Sequence, residues 1–220
     1  QGAKTARPEP GDADAMVITE EERSFWAFLP IQNPAVPKDA ENPIDAFLLR
    51  KLKAKRLGFS KAADKRTLIR RATFDLIGLP PSLEEIKNFV EDKSPEAYDK
   101  LINRLLASPR YGERWGRHWL DVVRYGDSGG YEHDRDYPNA WRYRDYVIRA
   151  FNEDKPYDQF ILEQLAGDEL EEVSYDSLTA TGFHRVGATV GFREKDNPHY
   201  RYIYLNDMIA TTSRAFMALS

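Results

Sequence analysis

The sequence predicts an all-α protein, an irregular multi-helix array with an extended N-terminal strap and long loops. Three observations carry that expectation. From residue 42 onward, apolar side chains recur three and four residues apart. Cap residues, prolines and glycines interrupt this pattern at short intervals. No segment alternates apolar and polar residues for long enough to build a sheet. The connections are short, which favours antiparallel neighbours.

Residues 1–24 read as a flexible N-terminal segment, rich in Ala, Pro, Gly and Asp. Phe25, Trp26 and Phe28 precede Pro30, Pro34 and Pro37. The prolines exclude a helix, so the expectation is a strap pinned to the body by its aromatics. The rest, 25–220, reads as a single helical domain. Asn42 caps a first helix, Pro43 suits its first position, and Ile44, Phe47, Leu48 and Leu52 form its apolar stripe. A second helix spans 64–77 and stops at Gly78 before Pro80 and Pro81. Ser82 and Glu85 form a capping-box pattern for a third, which buries Leu83, Ile86, Phe89 and Val90. A fourth starts at Ser94 and Pro95. A fifth, 109–124, sets Trp115, Trp119, Val122 and Val123 on one side. A sixth begins near Asn139, a seventh follows Pro156, and a last one starts near Tyr200. Residues 211–220 stop inside a helical pattern, so the chain is expected to be truncated there.

Hydrophobic residues make up 41% of the 220 and charged residues 31%, an ordinary globular balance. A net charge of −4 gives no overall attraction to nucleic acid, and no apolar run is long enough to span a membrane. There is no cysteine, which removes disulfides, thiolate catalysis and covalent haem attachment from this stretch. No nucleophile elbow, phosphate-binding loop, dinucleotide fingerprint or HExxH motif is present.

Chemistry is expected around the fifth helix and the loop after it. His118, Asp121 and Tyr125 lie three and four residues apart and share a face, flanked by Arg114, Arg117 and Arg124. Asp121 is spaced to pair with Arg117 or Arg124, which also describes a plain salt-bridged helix face. Residues 126–138 carry Gly129, Gly130, Asp127, Glu132, Asp134 and Asp136. Oxygen donors on a glycine-flexed backbone suit calcium or magnesium better than zinc, so Asp127, Glu132 and Asp134 are candidate metal ligands. A solvated acidic loop clamped by Arg142 and Arg144 is the structural alternative. Asp121, Asp127, Glu132, Arg124 and Arg142 are the catalytic candidates. His184 and His199 stand isolated.

The run Ser108-Pro109-Arg110-Tyr111-Gly112-Glu113-Arg114-Trp115-Gly116-Arg117-His118-Trp119-Leu120-Asp121 resembles a planctomycete-type, cytochrome-associated domain of unknown function (domain of unknown function family 1549). Asn42-Pro43-Ile44-Asp45, Thr73 to Pro81, Asn139 to Asp145, Glu163 to Asp168 and Ala180 to Arg185 carry the same resemblance. It implies large, exported, multidomain proteins and hence an extracytoplasmic location. It also implies a Cys-x-x-Cys-His segment after the helix ending at Ala215 to Leu219, which would bind haem c through residues beyond Ser220. His118, His184 or His199 is then the conceivable second axial ligand. The implied partners are other domains of the same full-length protein or a C-terminal continuation chain.

Three functions follow. The first is an extracytoplasmic module of a redox-associated, c-type haem protein. The second is a metal-dependent hydrolase or lyase acting on an extracellular polysaccharide. The third is a structural or interaction domain without catalysis.

Overall fold

The computed structural model describes residues 19–130, 134–189 and 197–217. Helices dominate the described residues, and the sole extended pairing among them is an isolated antiparallel bridge between Ser128 and Asp136. The all-α expectation therefore holds. None of the described helices is long and apolar enough to cross a membrane. The chain falls into two compact units, residues 1–62 and 63–220.

In the first unit, α1 (Glu20–Arg23) opens on a capping box between Thr19 and Glu22. A 3₁₀ turn, Trp26–Phe28, follows, closed by the Phe28 amide donating to the Phe25 carbonyl at 3.0 Å. The aromatics expected to pin the strap to the body are open to solvent, Trp26 at 78% and Phe28 at 76% exposure. The tight turn gathers them against one another instead, with the Phe25 ring 5.9 Å from both Trp26 and Phe28. α2 (Pro43–Ala54) is capped by Asn42, whose Oδ1 accepts from the Ile44 amide at 2.9 Å. Its buried side chain is Ala46, while the expected stripe members Ile44 and Leu48 face solvent.

The second unit has two apolar clusters. The first lies among α3 (Lys65–Ile77), α4 (Leu83–Glu91) and α5 (Ala97–Leu106), around Ile69, Phe89, Leu101 and Leu105. Asp64 caps α3, and Gly78 ends it in the left-handed region at φ 72°. Ser82 and Glu85 form the expected capping box of α4, but Leu83 is 87% exposed. Leu83 occupies the first position of the helix, where the apolar stripe has not yet begun.

The second cluster joins α6 (Arg110–Val122), α7 (Ala140–Asn152), α8 (Tyr157–Ala166) and α9 (Tyr175–Ala180) with a 3₁₀ turn, Thr181–His184. Val123, Tyr146, Val147, Phe160 and Phe183 lie at its centre. α10 (His199–Met217) closes on it through Phe216, whose ring sits 5.2 Å from Phe183 and 5.6 Å from Trp119.

α6 and α7 cross closely because Gly112 and Gly116 are the buried residues of α6. A Cβ at Gly112 would meet the Ile148 carbonyl oxygen at 2.2 Å. The Gly112 amide donates to Asn152 Oδ1 at 2.7 Å, and Asn152 Nδ2 donates to the Pro109 carbonyl at 3.0 Å. Val122, expected on the buried side of the fifth helix, is 46% exposed. The two glycines lie against α7, while Trp119 and Leu120 of α6 pack on the same core.

Polar side chains close the same core. Trp119 Nε1 and Tyr143 Oη both donate to Gln164 Oε1, at 2.9 and 2.5 Å. Glu163 accepts from Lys155 Nζ at 2.5 Å, from Tyr146 Oη at 2.8 Å and from Gln159 Nε2 at 2.8 Å. Burial alone would raise the Glu163 carboxyl, but these hydrogen bonds outweigh it and hold it below its usual range.

Candidate functional site

The acidic loop shapes the site. The Gly129 amide donates to the Arg135 carbonyl at 2.8 Å and the Tyr137 amide to the Asp127 carbonyl at 2.7 Å. The loop then ties residues 186–189 alongside it. The Gly126 amide donates to the Val186 carbonyl and the Thr189 amide to the Gly129 carbonyl, each at 3.0 Å. Tyr137 Oη bonds Thr189 Oγ1 at 2.8 Å. Tyr137 and Thr189 thereby become one wall of a cleft.

That cleft has a volume of about 990 Å³, which is in the range of small-molecule sites. The start of α7, the α9–3₁₀ segment and the first half of α10 supply its other walls. Its polar lining includes Asn139, Arg142, Arg185, Tyr200, Arg201 and Tyr204. No carboxylate lines it among the described residues. Gly182 sits against the ring of buried Tyr143, and a Cβ at that position would lie 3.2 Å from Tyr143 Cδ2. Burial pushes the Tyr143 hydroxyl well above its ordinary pKa, so it stays protonated.

Of the arginines, Arg142 is held by neutral groups. Arg142 donates from Nη1 to Tyr175 Oη at 2.5 Å and from Nε to Asn139 Oδ1 at 3.2 Å. Its guanidinium lies 4.8 Å from the centre of the Trp141 ring. Arg185 is exposed, and its amide donates to the Gly182 carbonyl at 2.7 Å. Tyr204 Oη donates to the His184 carbonyl at 3.2 Å, which anchors α10 to the 3₁₀ turn.

Among the described residues, the predicted site residues occupy separate places. Asp121 is exposed and stands 3.9 Å from Arg117. Arg124, expected as its alternative partner, pairs with Asp207 of α10 instead. The cause is backbone: α6 ends at Val122, and Arg124 takes a left-handed φ of 59° that swings it off the helix face. Tyr125 therefore leaves the expected face with His118 and Asp121 and hydrogen-bonds Asp127. Asp134 accepts from the Gly130 amide at 2.9 Å. Glu132 lies outside the described residues. Among the described residues, no three His, Asp or Glu side chains gather into a metal-holding group.

The three candidate histidines occupy three separate elements. His118 is exposed on α6 with its ring 5.5 Å from Trp115, and His199 is exposed at the start of α10. His184 is half-buried, with its ring edge-on to Phe183 at 5.0 Å.

Of the predicted residues, Arg142 lines the cleft. Sequence reasoning missed Asn139, Arg185, Tyr200, Arg201 and Tyr204 as lining groups. A signal was nevertheless present. Two stretches that carry the family resemblance, 139–145 and 180–185, bring Asn139, Arg142, Gly182 and Arg185 to this one place.

Fold and cleft define an all-α domain with a cationic, tyrosine-lined cleft. Residues 43–220 match the model of PSCyt2, a protein family of unknown function (DUF1549), and the chain belongs to that family. Comparison with curated proteins and with solved structures gives no match.

Proposed function

We propose that this domain binds an anionic saccharide, carboxylate- or sulfate-bearing, as the recognition module of a larger extracytoplasmic protein. The observation that carries the reading is the cleft itself: Arg142 and Arg185 with Tyr137, Tyr200 and Tyr204, and no described carboxylate. Guanidinium groups bind carboxylate and sulfate through paired, charge-assisted hydrogen bonds. Tyrosine rings supply flat apolar faces and hydroxyls at their edges, which suits a sugar ring. The cavity volume of about 990 Å³ accommodates a short oligosaccharide.

The test is titration with uronate-containing, sulfated and neutral oligosaccharides of equal length. Binding to an acidic member should weaken at least tenfold in Arg142→Ala and in Arg185→Ala, and should fall with added salt. Equal binding to the neutral chain, or no binding to any acidic one, would overturn the reading. The polymer-cleaving alternative shares this cleft, and release of shortened products during the same incubations would favour it.

A second reading places the module in a protein that carries c-type haem outside this chain, as the family resemblance implies. His184 supports it: the ring is partly shielded and makes no hydrogen bond among the described residues. His118 and His199, both exposed, fit an axial position less well. A visible spectrum of the full-length protein, oxidised and then reduced, decides this reading. Sharp reduced c-type bands that shift in His184→Ala support it, and a featureless spectrum removes it.

A further inference from the structure

Apart from the cleft, a second hollow of about 600 Å³ lies among α3, α5 and α6. Its lining includes Arg70, Arg71, Phe74 and Asp75 of α3, Tyr98 of α5 and Arg114 of α6. Residues 70, 71, 74 and 75 share a face of α3 by helical spacing. The Arg70 guanidinium lies 5.1 Å from the centre of the Phe74 ring.

Three guanidinium groups line the hollow against one carboxylate, Asp75, so its lining carries a net positive charge. Asp75 stands four residues from Arg71, the spacing at which helical ion pairs form. No ion pair joins it to Arg71 or to Arg114 among the described residues. Arg114 Nε is buried without a hydrogen-bond partner. A buried donor left unsatisfied is costly, so such groups in folded proteins call for an explanation.

The backbone holds Arg114 in place. A Cβ at Gly78 would come within 2.9 Å of Arg114 Cδ, so the left-handed glycine that ends α3 also makes room for the arginine stem. A stem packed in this way brings its charged head to the hollow at low entropic cost.

We propose that this hollow is a binding site for a tetrahedral oxyanion, a sulfate or phosphate group, held by Arg70, Arg71 and Arg114 with the Tyr98 hydroxyl beside them. An anion there would offset that net charge and accept from the buried Nε donor. The site shares no lining residue with the tyrosine cleft and does not depend on the function proposed for it.

The experiment titrates sodium sulfate against the whole chain at constant ionic strength, with chloride as the balancing salt. An Arg142→Ala, Arg185→Ala background silences the cleft. Heat of binding and the Arg Nε–Hε nuclear magnetic resonances are recorded together. Saturable binding that moves the Arg114 resonance is expected. Arg71→Ser, at an exposed position, should weaken it at least tenfold without changing the circular dichroism spectrum. Arg114→Lys keeps the charge but not the planar fork and should weaken it at least fivefold.

Parallel titrations with a sugar sulfate ester and a phosphoserine amide identify the source, the tighter ligand naming it. A response that rises linearly and matches chloride would overturn the proposal, as would sulfate binding unchanged by Arg71→Ser.

Discussion

Glu163→Gln tests whether the carboxylate on α8 helps to hold the 63–220 unit together. Glu163 is 4% exposed, and it receives three hydrogen bonds, from Lys155, Tyr146 and Gln159. Glutamine keeps the shape but removes the charge, leaving the Lys155 ammonium facing a neutral amide at a side-chain exposure of 11%. A charge-assisted hydrogen bond exceeds a neutral one by roughly 1 kcal/mol. Three of them predict a loss of about 3 kcal/mol, the low end for breaking a buried pair.

Urea unfolding should show a lower midpoint with an unchanged slope. The melting temperature should fall by roughly 6–12 °C, at about 2–4 °C per kcal/mol for a unit of this size. The pH dependence gives an independent check. In the folded state the carboxyl lies below its ordinary value of 4.5. Its contribution is therefore fully present above that value and is lost as pH falls through the folded pKa. The gap between the native protein and the variant should be full near neutrality and should close on acidification below 4.5. A loss under about 1 kcal/mol at neutral pH would refute the reasoning, because the pair would then be worth no more than an exposed one.

Three further outcomes follow from the packing. Gly112→Ala should destabilise by about 3 kcal/mol or more in urea, because its Cβ would meet the Ile148 carbonyl oxygen at 2.2 Å. Gly116→Ala, where the nearest atom is Val147 Cγ1 at 3.4 Å, should stay within about 1 kcal/mol of the native protein, since helix propensity favours alanine. Ser82→Ala should cost about 1 kcal/mol by removing the capping box of α4, read from the same denaturation curves.

Much of the helical layout was legible because its signals are local. Asn42, Asp64 and Ser82 cap helices where their side chains can reach the next free amides, and Gly78 ends α3 where a left-handed residue is needed. Such contacts span a few residues and leave their mark in the sequence. Apolar periodicity was a poorer guide to burial. Ile44 and Val122 fit a stripe yet are exposed, whereas Gly112 and Gly116, which have no side chain, are the buried residues of α6 and meet Val147 and Ile148 of α7. Which face of a helix is buried depends on the neighbouring helix, and that neighbour can be distant in the chain.

The candidate site divides in the same way. The amino-acid order alone specified an all-helical chain, the caps at Asn42 and Ser82 and, through its motifs, membership of a family. It also singled out Arg142 as an anion-binding candidate. Only the tertiary structure decided that Arg142, Arg185 and Arg201 share one cleft and that Arg70, Arg71 and Arg114 share another. It decided equally that Asp121, Asp127 and Asp134 are each occupied locally. For the residues after α6, a left-handed Arg124 ends the helix and redirects the chain. Side chains at helical spacing then part, and residues some forty to sixty positions apart meet across the loop that follows.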